Sequence, residues 1–377
     1  MYQIKGKIDS TNASEFEKEI MEVKPTEIDA SELLYISSAG LRVLMKLRKE
    51  VGEVTVCNVN SEVYEILDVT GFTSILNVKK ALREIDLTGK EIIGQGGNGT
   101  VYRLDDERIV KVYRSEHSLE YIEREQQYAK AAFVSGIPSV IAFDVVKAGD
   151  NYGVVFEAMN SDTLSHAIST EPEKRDEYIK SYVELAKTLH TTQIQGETVE
   201  TLKSMLYDRL ENDYMKENLS AEEIDVLKSI VDSMRDADTL VHGDFHPGNI
   251  MLQNGELMLI DMGEVTRGVP IYDVASVYRD LISAPKSNPD ICRTSMGLEP
   301  DLAEEVGTKF ISMYSGISDP QQLEGYMKQL GLVYAFNVVM LLSTVTQRDV
   351  RGPLIINNLL RPVVIPNAEA LKYILSK

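Results

Sequence analysis

The chain has 377 residues, long for one core, so two or three folding units are expected. Lys and Arg number 39 against 59 Asp and Glu, a formal net charge of −20 that argues against nucleic acid or an anionic membrane as the main partner and suits a cationic substrate. Hydrophobic content of 43% is ample for globular cores, while Cys57 and Cys292, far apart and without metal-ligand spacing, exclude a disulfide framework or a zinc site and fit a reducing, cytoplasmic compartment.

Met1-Tyr2-Gln3-Ile4-Lys5-Gly6 contains no signal-peptide apolar stretch. Tyr2–Ile8 alternates loosely and reads as a strand, and Asn12 with Glu15 three residues on marks a helix running to about Val23. Glu27–Ala30 and Val54–Cys57 read as short strands. Between them a helix from about Ala39 to Glu50 carries Leu41, Leu44 and Met45 at helical spacing. A helix at Ser61–Leu67 and a strand near Phe72–Val78 follow. Residues 1–82 therefore read as a small α/β layer with a mostly parallel sheet.

Lys5-Gly6-Lys7-Ile8-Asp9-Ser10-Thr11-Asn12, Asp29-Ala30-Ser31, Tyr35-Ile36-Ser37-Ser38-Ala39-Gly40-Leu41-Arg42 and Thr70-Gly71-Phe72 together resemble a STAS domain of the anti-sigma-factor antagonist type. The resemblance implies a protein partner and a serine, at the start of the second helix, that a partner kinase phosphorylates. Alignment on Gly40-Leu41 puts that serine at Ser38, although Ser37 stands where many members have Asp. A phosphate there would sit on free N–H groups at a helix N-terminus. The alternative is that Ser38 is the helix N-cap and nothing more.

Lys79 to Lys90 holds no Gly/Ser or Pro-rich spacer, so the first domain runs directly into the next. Residues 83–160 form the expected upper lobe. Ile92-Ile93-Gly94-Gln95-Gly96-Gly97-Asn98-Gly99-Thr100-Val101-Tyr102 contains G-x-G-x-x-G, and the strand-forming residues on both sides make it a loop joining two strands over phosphates rather than a dinucleotide-binding turn. Gly94, Gly96 and Gly99 let backbone N–H groups approach phosphate oxygens. Lys111, in the apolar strand Arg108–Tyr113, is the candidate contact to the α/β-phosphates. Its anionic partner is expected on the helix Ser118–Phe133: Glu120, Glu123 and Glu125 are candidates, Glu125 preferred and Glu123 next. Strands at Ser139–Val146 and Tyr152–Phe156 lead to a hinge, where the backbone of Glu157 and Met159 would bond an adenine edge.

Residues 161–377 read as a helical lower lobe. Asp176–His190 is an amphipathic helix closed by a structural His190, and Thr198–Asp238 is an acidic helix pair with a capping box at Ser220 and Glu223. Asp208, Glu211 and Asp213 are its candidate acceptor contacts, a role implied by the family resemblance of the loop that follows. Val241-His242-Gly243-Asp244 is followed, after four intervening residues, by Asn249, then by an apolar hairpin turning at Asn254-Gly255, then by Asp261-Met262-Gly263. Phosphoryl transfer from ATP requires this set: a carboxylate, Asp244, to take or orient the attacking hydroxyl's proton, and Asn249 and Asp261 to hold Mg²⁺ against the phosphates. Leu330 to Val345, apolar but interrupted by Asn337 and Ser343, reads as a buried helix rather than a membrane span.

The loop resembles that of the aminoglycoside phosphotransferase and choline kinase branch of the protein-kinase-like superfamily, which carries His-Gly-Asp. Pro270-Ile271-Tyr272-Asp273-Val274-Ala275 resembles the family's P-x-x-D-x-A segment, in which the Asp braces the catalytic loop. The resemblance implies an α/β STAS-like domain joined to a two-lobed α+β kinase-like fold. The activity implied is ATP- and Mg²⁺-dependent transfer to a hydroxyl of a small molecule of aminoglycoside, amino alcohol or sugar type. The few residues between Asp261 and Pro270 leave little platform for a peptide. Two alternatives stand: a signalling Ser/Thr kinase acting on a STAS serine, and a nucleotide-binding regulatory module without turnover.

Overall fold

The computed structural model describes residues 1–377 except 160, 195, 197 and 345–347. The chain divides into two compact units, Met1–Asp86 with Val146–Asp150, and Leu87–Val145 with Asn151–Lys377.

In the first unit, strands β1 (Tyr2–Ile8), β2 (Glu27–Ile36), β3 (Thr55–Val59) and β4 (Asn77–Lys80) form a parallel sheet in that order. Helices α1 (Ala13–Val23), α2 (Ser38–Val51) and α3 (Ser61–Val69) make the crossovers that parallel pairing demands. Ile20, Ile28, Leu33, Ile36, Leu44 and Leu47 are fully buried in one core. Gly40 is required where α2 meets the sheet, because a Cβ there would lie 2.7 Å from Ile8 Cγ2 and 2.8 Å from Ile36 Cγ1. The expected strand at Phe72–Val78 is instead a 3₁₀ turn, Phe72–Ser74, followed by β4.

Two caps differ from expectation. Asn12 precedes α1 but spends its side chain on the preceding loop, accepting from Asp9 N–H (2.9 Å) and donating to the Lys7 carbonyl (2.7 Å). The N-cap of α2 is Ser37, not Ser38. Ser37 has the extended backbone a cap needs (φ −91°, ψ 173°), and its Oγ accepts the Ala39 N–H at 3.2 Å. Ser38 is the first helical residue, and it is exposed.

In the second unit, the strands Ile92–Gln95, Gly99–Arg103, Arg108–Tyr113 and Asn151–Glu157 are successive antiparallel neighbours. Helix α4 (Leu119–Val134), begun by a Ser118 cap on Tyr121 N–H, buries Ile122, Glu125, Tyr128, Ala129 and Ala132. The remainder is largely helical, with Tyr182 stacked on Phe245 (5.0 Å between centroids) and tilted at 42° against Phe310 (4.4 Å). The apolar run expected as a helix from Leu330 belongs to a longer one that starts ten residues earlier, Pro320–Met340. With its 3₁₀ extension to Ser343 it is the one segment, among the described residues, long and apolar enough to cross a membrane by length and composition. Val345 lies outside the described residues.

Candidate active site

The hairpin Ile250–Gln253 and Glu256–Leu259 turns through Asn254 (φ 54°) and Gly255 (φ 85°), the left-handed pair of a two-residue turn. Ile250 pairs with Leu259, and Ile260 N–H donates to the Asn249 carbonyl at 3.0 Å. The hairpin thus returns Asp261 beside Asn249. Asp261 itself has φ 61°, a left-handed conformation that costs Asp less than most residues. Gly263 packs against α4, where a Cβ would sit 2.7 Å from Tyr121 Oη and 3.0 Å from Glu125 Oε2.

Lys111 Nζ reaches Glu125 Oε1 at 2.9 Å and Asp261 Oδ1 at 2.8 Å, joining the sheet, α4 and the hairpin end. Side-chain exposure falls from 33% at Asp261 through 14% at Lys111 to 0% at Glu125. Burial pulls the Lys111 ammonium down, but two carboxylates outweigh it and raise its pKa. Burial pushes the Glu125 carboxyl up, helped by Asp261 and opposed by Lys111. One cation between two anions leaves the buried anion the less satisfied.

Asp244 and Asn249 meet directly. Asn249 Nδ2 donates to the Asp244 carbonyl (3.0 Å) and to its Oδ2 (3.1 Å), so the amide oxygen is left to serve another ligand. His246 Nε2 lies 3.5 Å from Oδ2, and Arg279 Nη2 donates to Oδ1 at 2.6 Å. Burial works to raise the Asp244 carboxyl. The His246 bond and charge and the Arg279 guanidinium outweigh it, holding the group well below the usual carboxylate range.

The loop backbone is fixed from beneath. Asp273, fully buried, accepts the N–H groups of His242 (2.7 Å) and Gly243 (2.8 Å) and a bond from His190 Nε2 (3.0 Å). His190 Nδ1 in turn bonds Tyr314 Oη at 2.7 Å, and Tyr182 Oη donates to the Phe245 carbonyl at 3.0 Å. Glycine is needed at 243 because φ is 82° and a Cβ would fall 2.7 Å from the Glu264 carbonyl oxygen. Arg209 Nη2, from the helix Leu202–Leu210, meets Glu264 at 2.6 Å.

The glycines of the loop differ in kind. A Cβ on Gly99 would lie 2.2 Å from the Val112 carbonyl oxygen, whereas on Gly96 it would meet nothing within 4 Å and on Gly94 only Val101 at 3.7 Å. Gly99 serves strand pairing; Gly94 and Gly96 border open space. At the hinge, Glu157 N–H donates to the Ile141 carbonyl (3.0 Å) and its carboxylate takes the Ile141 N–H (2.7 Å), so that side chain is braced within the protein; Met159 is half-buried. Glu211 is bound to Lys216 (2.8 Å) and Lys228 (2.9 Å) on the surface, and Asp208 and Asp213 are exposed.

Two oxygen donors, on Asn249 and on Asp261 at the returning end of the hairpin, fit a hard cation that completes its shell with water and other oxygen ligands. No cluster of three or more His, Cys, Asp or Glu suited to a metal occurs among the described residues. Reading the sequence missed Arg279, His246 and Arg209. Arg279-Asp280 in a helix looks like any solvated ion pair, and its one signal is spacing: Asp273, Ser276 and Arg279 lie three apart.

The sequence model of the phosphotransferase enzyme family matches residues 89–297, more than half of the chain, and that of the STAS domain matches residues 1–85. A protein of Bordetella bronchiseptica named as the anti-sigma factor antagonist BtrV is 37% identical over 84 residues, covering 20% of this chain and 72% of that protein. Among solved structures, ADP-bound aminoglycoside phosphotransferase APH(2'')-Ib superposes with a TM-score of 0.45 at 16% identity, covering 83% of this chain and 96% of that one. A choline/ethanolamine kinase family protein from Mesorhizobium loti gives 0.43 at 14%, covering 76% and 88%. The chain belongs to the phosphotransferase enzyme family and carries a STAS domain at its N-terminus.

Proposed function

We propose that the protein is an ATP- and Mg²⁺-dependent kinase that transfers the γ-phosphate to a hydroxyl of a small molecule of aminoglycoside, amino alcohol or sugar type. The observation carrying this is Lys111 held between Glu125 and Asp261, at 2.9 and 2.8 Å, on the second unit that also joins Asp244 to Asn249. In this reading Lys111 and the N–H groups around Gly94, Gly96 and Gly99 orient the triphosphate, and Glu125 orients Lys111. The backbone of Glu157 and Met159 takes the adenine edge, while Asn249 and Asp261 hold Mg²⁺, which neutralises phosphate charge when bound.

Asp244 orients the acceptor hydroxyl. The acceptor oxygen bonds to the γ-phosphorus as the bond to the β,γ-bridging oxygen breaks. ADP leaves with that electron pair, and the hydroxyl proton passes to Asp244 and then to solvent. A carboxylate held well below its usual range is a weak base, which suits a loose transition state in which the proton moves late.

A small acceptor is favoured because the stretch after Asp261 is tied down: Thr266 and Arg267 pair with Val241 and Leu240, leaving no long loop to present a peptide. ADP release across a panel of such acceptors, cationic ones first, tests this, and turnover on none of them would overturn it. The site of action is the cytoplasm. A second reading, a kinase for a STAS serine, rests on Ser38, exposed at the first position of the 14-residue α2 and our candidate phosphosite; the STAS domain is the surface proposed to meet a protein partner.

A further inference from the structure

The helix beneath the catalytic loop does more than grip its backbone. It is α-helical over Ile271–Tyr278, makes a π-turn at Arg279–Ser283 and resumes as Ala284–Ser287. Pro285 lacks the N–H that would continue an α-pattern bond into this turn, a local cause for the wider winding. Such insertions recur where a helix must aim a side chain at a site.

Three successive contacts follow along the helix. Asp273 holds the N–H groups of His242 and Gly243, Ser276 Oγ donates to the Gly243 carbonyl at 3.4 Å, and Arg279 Nη2 donates to Asp244 Oδ1 at 2.6 Å. Arg279 is itself clamped, with Nε to Asp280 Oδ1 and Nη2 to Asp280 Oδ2, both at 2.7 Å. The clamp is mostly sheltered, with side-chain exposures of 20% at Arg279 and 16% at Asp280. Asn249 holds the other oxygen of Asp244 at 3.1 Å. With its two oxygens tied to different partners, the carboxylate cannot turn about its own axis.

We propose that Arg279 is a positioning residue for phosphoryl transfer: bridging Asp280 and Asp244, it fixes the plane of the Asp244 carboxylate that meets the acceptor hydroxyl. The inference rests on the reading of Asp244 as the base. Only a planar fork can bond both carboxylates at fixed angles, so lysine does not replace it. A simple ion pair would accept lysine.

The test uses the full chain with Mg²⁺ and ATP, water serving as acceptor, and reads ADP release, nucleotide affinity and the Asn249 side-chain amide signals in a ¹⁵N spectrum. Arg279→Met and Arg279→Lys are each expected to lower kcat by about 100-fold, the scale of a misplaced catalytic group, with KM for ATP little changed. Guanidinium ion should restore part of the rate to Arg279→Ala. Asp280→Asn, which loosens the clamp without touching Asp244, should give a smaller loss. The Asn249 amide signals should move in Arg279→Met and need no turnover to be read. Wild-type kcat in Arg279→Lys, or unmoved Asn249 signals in Arg279→Met, would overturn the proposal. Asp244→Asn separates the two ideas: if it turns over normally, the reading of the base fails, and if it is dead while Arg279→Met is normal, only the positioning role fails.

Discussion

Replacing Lys111 by Met strips the cation from a cluster of two carboxylates. Glu125, 0% exposed, then faces Asp261 with no counter-charge, and its cheapest escape is to bind a proton. Moving a carboxyl whose ordinary value is about 4.3 to the protonated form at pH 7 costs about 1.36 × 2.7, or about 4 kcal/mol, which caps the penalty from Glu125. The sign in pH follows. Burial already raises the Glu125 pKa, and losing Lys111 raises it further. Between about pH 4.3 and that raised value the folded state holds a proton the unfolded chain lacks, so stability falls as pH rises, by up to about 1.4 kcal/mol per unit. Lys111's own contribution is present throughout this window, since its raised pKa is passed only at alkaline pH. Hydrogen exchange of peptides from Leu119–Val134 should therefore show a deficit in Lys111→Met at pH 7 that shrinks at pH 5, by at most about 2.7 kcal/mol because the wild-type Glu125 pKa is itself raised. Adding Glu125→Gln should recover much of it. A deficit equal at both pH values, or undiminished in the double variant, would refute the reasoning.

Gly99→Ala drives a Cβ to 2.2 Å from the Val112 carbonyl oxygen and should cost about 1–3 kcal/mol by thermal unfolding, whereas Gly96→Ala, facing open space, should keep its Tm and weaken ATP binding. Asp273→Asn keeps the shape but replaces one accepting oxygen with a donor facing His242 N–H, His190 or Gly243 N–H. It should lose about 2–4 kcal/mol and lower kcat, read by urea unfolding and ADP release. Under the second reading, intact-mass measurement after incubation with Mg²⁺ and ATP should show one phosphate on wild type, mapped to Ser38 and absent from Ser38→Ala; an unchanged wild-type mass would count against it.

Much of the fold was legible because its punctuation is chemical. Asn254-Gly255 fixes the hairpin, Ser220 and Glu223 close a capping box, and the parallel sheet of the first unit follows from strands alternating with helices. The cap of α2 was misplaced by one residue because Ser37 and Ser38 are chemically alike and only backbone geometry separates them. The candidate residues Lys111, Asn249 and Asp261 could be picked out because Lys111 follows a glycine loop and Asn249 and Asp261 are closely spaced, and the structure sets Lys111 against Asp261 at 2.8 Å. Arg279 was not, since a three-residue spacing from Ser276 and Asp273 does not reveal a bond to Asp244, 35 residues away in sequence. Glu211 drew notice as an acidic candidate, yet it neutralises two lysines on the surface, and a pair of that kind is invisible in one dimension.

The most direct test of the central claim is ADP release with Mg²⁺ and ATP, with and without hydroxylated cationic acceptors, for wild type beside Asp244→Asn. Acceptor-stimulated release by wild type, abolished in Asp244→Asn while ATP affinity is retained, is the predicted result. Equal release by both proteins, or ATP binding with no release under any acceptor, would contradict it.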